Sequence, residues 1–187
     1  MRVSLWLLPP QHNALSFKWI MDHPERFGAL YPLSNAYPHI TLATIESNSS
    51  LEDSVQRLRN AVQKIGKSTI QIEFESIDTK HEYLRSCFLR VKRTPELTKL
   101  MCMTNKALGT RREPPDFPCQ PIFYVPTQRF PEREWVVRIL KQTIEPRLSE
   151  FSYDVSCMAI VVCDGDCNDW KVVEYIPLVC FLASSDP

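Results

Sequence analysis

A histidine and a threonine separated by one residue, His39 and Thr41 in Pro38-His39-Ile40-Thr41-Leu42, carry the plainest chemical signal in the chain. In a strand alternate side chains share a face, so the imidazole and the hydroxyl project into one space while Ile40 and Leu42 enter the layer behind. An imidazole titrates near neutral pH and can take or give a proton. A hydroxyl can donate to a non-bridging phosphate oxygen. The pair therefore suits phosphoryl chemistry, although so short a pattern also arises among ordinary core and surface residues.

Composition excludes several alternatives. Lysine plus arginine equals aspartate plus glutamate at 22 each, so the molecule has no net field for long nucleic acid and must meet any anion locally. Four glycines against fifteen prolines leave no glycine loop of the kind that cradles triphosphates or dinucleotides. The seven cysteines are an odd number, mostly within predicted strands and helices, and read as reduced thiols of a cytoplasmic or nuclear protein. Cys157, Cys163 and Cys167 have five and three residues between them, with no Cys-x-x-Cys pair and no nearby histidine. Neither a metal nor a cofactor is expected on that spacing. The apolar stretch Val3 to Leu8 is too short for a membrane span and lacks a small-residue cleavage site, so it reads as a buried first strand with no membrane role.

The elements that must position His39 and Thr41 follow from periodicity. Val3 to Leu8 is a strand closed by Pro9-Pro10, and Asn13 to Phe27 has helical spacing through Leu15, Trp19 and Ile20. His39 to Ile45 is the second strand. Ser49-Ser50 then caps a helix from Leu51 to Ile65, striped by Val55, Leu58 and Val62 and stopped by Gly66. Thr69 to Ile77 and Glu82 to Val91 read as an antiparallel hairpin. Thr94-Pro95 opens a helix to Leu108 that ends at Gly109, and a proline-rich loop from Thr110 to Pro118 follows. A strand from Cys119 to Val125, a helix from Glu132 to Leu148, and two long strands, Phe151 to Cys163 and Trp170 to Phe181, complete the order. Strands and helices alternate in two similar halves, which predicts an internal duplication in one α+β domain spanning residues 1–187.

The His-x-Thr motif, the strand order, the N-terminal Leu5-Trp6-Leu7-Leu8-Pro9-Pro10, the later Phe117-Pro118-Cys119-Gln120-Pro121-Ile122-Phe123-Tyr124 and the closing Asp169-Trp170-Lys171-Val172-Val173 together resemble the fungal and plant cyclic nucleotide phosphodiesterases of the two-histidine, LigT-like phosphoesterase superfamily. The resemblance covers nearly the whole chain. It implies a two-lobed, pseudo-symmetric α+β fold, with antiparallel sheets around a central groove and helices outside, in which each lobe gives one His-x-Thr or His-x-Ser motif to metal-free opening of a cyclic phosphate. His39 and Thr41 carry over as the first motif, and Trp6 and Tyr124 as aromatic residues of the groove able to stack a nucleobase, or as plain core. The second motif does not carry over: Cys119 stands where the histidine should be and Pro121 where the hydroxyl should be.

That loss shapes the functional expectation. Opening a cyclic phosphate needs one group to activate water and another to protonate the departing oxygen, each contributing about 10²- to 10⁴-fold. A thiol at Cys119 is a poor acid toward an alkoxide, and Pro121 has neither a hydroxyl nor a backbone donor. No arginine-bearing anion loop follows Cys119, which argues against a nucleophilic cysteine. His12, His23 and His81 read as loop or helix residues, and Arg85, Arg111 and Arg112 as either groove-flanking or solvated. The expectation is a degenerate cyclic phosphodiesterase-like protein that binds a nucleotide phosphate, an RNA 2′,3′-cyclic phosphate end or a protein partner with little hydrolysis. The alternatives are an active 2′,3′-cyclic-nucleotide 3′-phosphodiesterase yielding 2′-phosphates, and a protein-interaction module.

Overall fold

The computed structural model of the protein describes residues 1–46, 48–65, 70–109 and 118–178. Gly66, Thr69, the loop bearing Arg111 and Arg112, and the end of the last predicted strand at Phe181 lie outside these. The elements run β1 (Arg2–Leu8), α1 (Gln11–Asp22), β2 (Ile40–Glu46), α2 (Leu51–Ile65), β3 (Ile70–Ile72), β4 (Phe74–Asp78), β5 (Cys87–Val91), α3 (Pro95–Leu108), β6 (Cys119–Phe123), α4 (Phe130–Thr143), β7 (Tyr153–Val155), β8 (Cys157–Val162) and β9 (Lys171–Pro177).

Two antiparallel sheets form the frame, one in the order β2-β1-β8-β9 and one in the order β4-β5-β6, with β3 and β7 as a small separate pair. β1 lies inside its sheet and is covered on both faces. Val3, Leu5 and Leu7 enter the main core, while Trp6 and Leu8 enter a second cluster with Tyr124, Cys163 and Cys167. A strand buried on both faces must be apolar throughout, which is why the run from Leu5 to Leu8 shows no alternation.

The helices cross between lobes. α1, which follows β1, packs against β6 of the other sheet, and α3, which follows β5, packs against β2. Each lobe is therefore closed by a helix whose sequence belongs beside the opposite strand, and the fully buried Leu97 of α3 sits in a core shared by both sheets. α3 begins as its sequence requires: the Thr94 hydroxyl accepts from the Leu97 amide at 3.2 Å, Pro95 fills the first turn, and Gly109 ends it at φ 68°. Ser50 caps α2 by accepting from the Asp53 amide at 3.1 Å.

Four predicted elements break where prolines or pairing partners intervene. α1 stops at Asp22 because His23 precedes Pro24 and takes an extended φ of −124°, after which Pro24–Phe27 forms a 3-10 turn. α4 ends at Thr143, and Glu145–Phe151, containing Pro146, is 3-10. The predicted hairpin divides: β3 pairs with β7, and only β4 pairs with β5. Tyr83–Arg85 is a 3-10 turn and not strand, so Arg85 does not share a strand face with Cys87, which is buried in the main core. The long strand predicted from Phe151 likewise divides into β7 and β8, serving two sheets.

Candidate active site

Two β-bulges build the site. Where β1 pairs with β2, Leu5 opposes Ala43 and Trp6 opposes Thr41, so Leu42 is an extra residue. Where β5 pairs with β6, Cys87 opposes Phe123 and Phe88 opposes Pro121, so Ile122 is the extra one. A bulge shifts the alternation by one position. On β2, His39, Thr41 and Thr44 share the inner wall, and on β6, Cys119, Pro121 and Tyr124 do the same. Eighty positions separate His39 from Cys119 and also Leu42 from Ile122, so the two strands match residue for residue, including the irregularity.

All six side chains line one cavity of about 430 Å³. His39 and Thr41 thus meet Cys119 and Pro121 in a common space. Thr41 and Cys119 are half-buried, and Pro121 is buried. Gln120, between the two altered positions, points the other way and accepts a hydrogen bond from the Tyr153 hydroxyl at 2.9 Å.

His39 is held from two directions. Its ring lies flat against Trp6, with centroids 3.5 Å apart and planes inclined by 12°, and its Nδ1 lies 2.6 Å from the Tyr37 carbonyl oxygen. A carbonyl only accepts, so Nδ1 carries a proton in that bond. Burial, with only 3% of the residue exposed, pushes the imidazole pKa down to about 4, against a smaller opposing effect of the Tyr37 bond. At neutral pH the ring is uncharged, Nδ1 is protonated and Nε2 carries a lone pair. This is the state of a proton acceptor.

Trp6 and Tyr124 are each only 2% exposed. One face of Trp6 is covered by His39, and the Tyr124 ring meets Tyr83 at 5.6 Å and Trp170 at 6.0 Å. Burial pushes the Tyr124 hydroxyl well above its ordinary range, keeping it protonated. Trp170, quoted in the sequence only as part of the last strand, is half-buried and reaches Trp6, His39 and Tyr124, all with centroids within 6.3 Å. Its Nε1 is buried without an acceptor. Its position at a strand boundary gave no sign of this role.

Two arginines and two glutamates also line the cavity: Arg2, opposite Glu46 on the β1–β2 ladder, and Arg85, ion-paired with Glu82. Arg2 donates through Nε and Nη2 to the Cys163 carbonyl at 3.2 and 3.1 Å. Arg85, one of the sequence candidates, is brought in by its 3-10 turn, which Ser86 secures: the buried Ser86 hydroxyl bonds the Tyr83 and Phe123 carbonyls and accepts from the Val125 amide at 2.7 Å. Ser4 and Thr44 add a hydroxyl pair at 2.9 Å. The other histidines lie elsewhere. His12 is exposed on α1, the His23 Nδ1 lies 2.7 Å from the Trp19 carbonyl oxygen, and His81 stacks on Phe130. Among the described residues no group of three or more His, Cys, Asp or Glu side chains is placed to hold a metal ion.

Two sheets facing across such a groove, each presenting a matching bulged strand, define a class that the comparisons identify. Residues 1–178 match the family described as cyclic phosphodiesterase-like protein. The chain belongs to that family, and with it to the two-histidine phosphoesterase superfamily. It is 31% identical over 109 residues to a 2′,3′-cyclic-nucleotide 3′-phosphodiesterase of Neurospora crassa, and the match spans about half the length of that relative (51%) and 52% of this chain. Among solved structures, a phosphoesterase is similar at a TM-score of 0.63 and 16% identity, covering 96% of this chain and 99% of the other. E. coli LigT complexed with phosphate is similar at 0.59 and 15%, covering 96% and 98%. LigT complexed with 3′-AMP gives 0.58 and 13% over the same shares, 96% and 98%. These likenesses establish the fold. No helix among the described residues is long and apolar enough to cross a membrane.

Proposed function

We propose that the groove binds the phosphate of a nucleotide or of an RNA 2′,3′-cyclic phosphate end, with little hydrolysis. One observation carries the reading: Cys119 and Pro121 occupy the places that mirror His39 and Thr41 in the shared cavity. Thr41 supplies a hydroxyl that donates to a phosphate oxygen, and His39 an Nε2 lone pair that accepts from a water or a sugar hydroxyl beside that phosphate. Among the described residues no second imidazole lines the cavity to protonate a departing alkoxide. Arg2 and Arg85 line the same cavity, each beside a glutamate, and are, among the described residues, the cations within it that could meet a phosphate. A protein complexed with phosphate and with 3′-AMP shares the fold, which supports a phosphate-bearing ligand here.

A second reading is favoured by the neutral, base-competent state of His39 and by the named activity of the Neurospora relative. In it the protein opens 2′,3′-cyclic phosphates to 2′-phosphates, with Cys119 or solvent as the proton donor. Turnover of a 2′,3′-cyclic mononucleotide by wild type and His39→Ala, with calorimetric binding of a nucleoside 2′-phosphate at low salt, separates the readings. Binding that weakens at least about tenfold in His39→Ala, with turnover well below the ordinary range of about 1 to 10³ per second, supports the first. A His39-dependent rate within that range establishes the second. Absence of both binding and turnover overturns both and leaves the groove a scaffold for a protein partner.

A further inference from the structure

We infer that Trp6 is a positioning residue for His39, locking the imidazole plane and, together with the Tyr37 carbonyl, the tautomer that leaves Nε2 as the acceptor; this deepens the reading of His39 as the group that meets phosphate. A family-derived role for Trp6 as a nucleobase platform needs an accessible indole face. Trp6 is 2% exposed, and one of its faces is occupied by the imidazole at 3.5 Å and 12°. The contact links two adjacent strands: Trp6 pairs with Thr41 across the β1–β2 ladder, two residues from His39. One hydrogen bond to Tyr37 leaves the ring able to pivot about that contact. A parallel stack removes the pivot, and Trp170, meeting His39 edge-on at 6.3 Å and 71°, narrows the remaining space.

The charges around the ring do not supply this function. Among the described residues the titratable groups sharing its cavity are Arg2, Glu46, Glu82, Arg85, Cys119, Cys163 and Tyr124. Burial, and none of these, is the cause of the low imidazole pKa. An indole face by itself attracts a cation, so stacking alone would raise that pKa. The indole acts here chiefly by excluding water from the ring.

The test reads the imidazole directly and needs no ligand. Protein labelled with ¹⁵N-histidine is followed by long-range ¹H–¹⁵N correlation across pH, with His39→Gln assigning the signal against His12, His23 and His81. In wild type the His39 ring stays neutral, as one tautomer protonated at Nδ1, from pH 8 to about pH 5. In Trp6→Leu the midpoint rises by about one unit or more and the second tautomer appears. In Trp6→Phe, where a smaller ring keeps part of the stack, the change is intermediate, and this variant decides the matter if Trp6→Leu does not fold. A folded Trp6→Phe or Trp6→Leu protein with the wild-type midpoint and a single tautomer overturns the proposal. That result leaves phosphate binding by His39 untouched, whereas a protein that fails to bind phosphate but shows these shifts retains the positioning role.

Discussion

His39 illustrates how burial converts a titratable side chain into a fixed one. An imidazole with an ordinary pKa of 6.5 is about a quarter protonated at pH 7, and a protonated ring cannot accept a proton from water. Lowering the pKa to about 4 removes that fraction at a cost borne at low pH. Between about pH 6.5 and pH 4 the unfolded chain binds a proton at this position that the native protein does not. Stability is therefore undiminished above pH 6.5 and falls as the pH drops toward 4, by up to about 3 kcal/mol. Urea unfolding of wild type and His39→Gln at pH 7.5 and pH 4.5 checks this: the wild-type stability falls more steeply with acid, and equal slopes would contradict the depressed pKa. The opposite position supports a complementary prediction. The double variant Cys119→His with Pro121→Thr returns an imidazole and a hydroxyl to the facing wall and raises turnover of a 2′,3′-cyclic nucleotide by about 10²-fold or more. No gain would mean that the groove differs from a working one in more than these two side chains.

At the scale of the elements, the bulges decide what the strands present. Were Ile122 held in an unbulged strand, strict alternation would send Tyr124 to the core side and bring Phe123 into the cavity, and an unbulged Leu42 would likewise turn Thr44 away from Ser4. Deleting Ile122 removes the bulge yet leaves Pro121 and Tyr124 facing the cavity, so ligand binding is expected to survive with a lower melting temperature, read together by calorimetry and thermal melting; loss of binding in a folded variant would show that the bulge itself shapes the groove. The 3-10 turn before β5 is tied to β6 and to the residues after it by a buried hydroxyl. Ser86 is fully buried and joins Tyr83, Phe123 and Val125, so Ser86→Ala leaves the Val125 amide without its acceptor. A loss of about 1 to 3 kcal/mol in urea unfolding is expected, with weakened phosphate binding because Tyr83 and Arg85 lose their anchor. A stability change below about 0.5 kcal/mol would show that water replaces the hydroxyl.

For the whole molecule, α1 against β6 and α3 against β2 couple the two sheets, beside the cover that α2 gives β1 and α4 gives β4. One cooperative transition is expected. Leu97→Ala on α3, at a position with no exposure, is expected to cost about 2 to 5 kcal/mol. The tryptophan fluorescence and far-ultraviolet circular dichroism transitions should shift together. Two separated transitions would make the lobes independent domains. The Arg59–Glu174 ion pair at 2.7 Å ties α2 to the outer strand β9, but it is too exposed to govern stability.

The sequence alone determined the local rules and the identity of the first motif. Thr94, Pro95 and Gly109 bound α3 because capping depends on nearby backbone groups, and His39-x-Thr41 shared a face because strand alternation is local. The resemblance to the family also singled out Cys119 and Pro121 as the counterparts of His39 and Thr41. Only the tertiary structure decided that the expected hairpin would divide between two sheets, since pairing partners such as β7 come from far along the chain. Only it decided that Trp6 lies against His39, that Trp170 joins them, and that the imidazole is neutral. Desolvation and ring stacking depend on which surfaces meet in space, and Trp6 and Trp170 meet that ring only when the chain is folded.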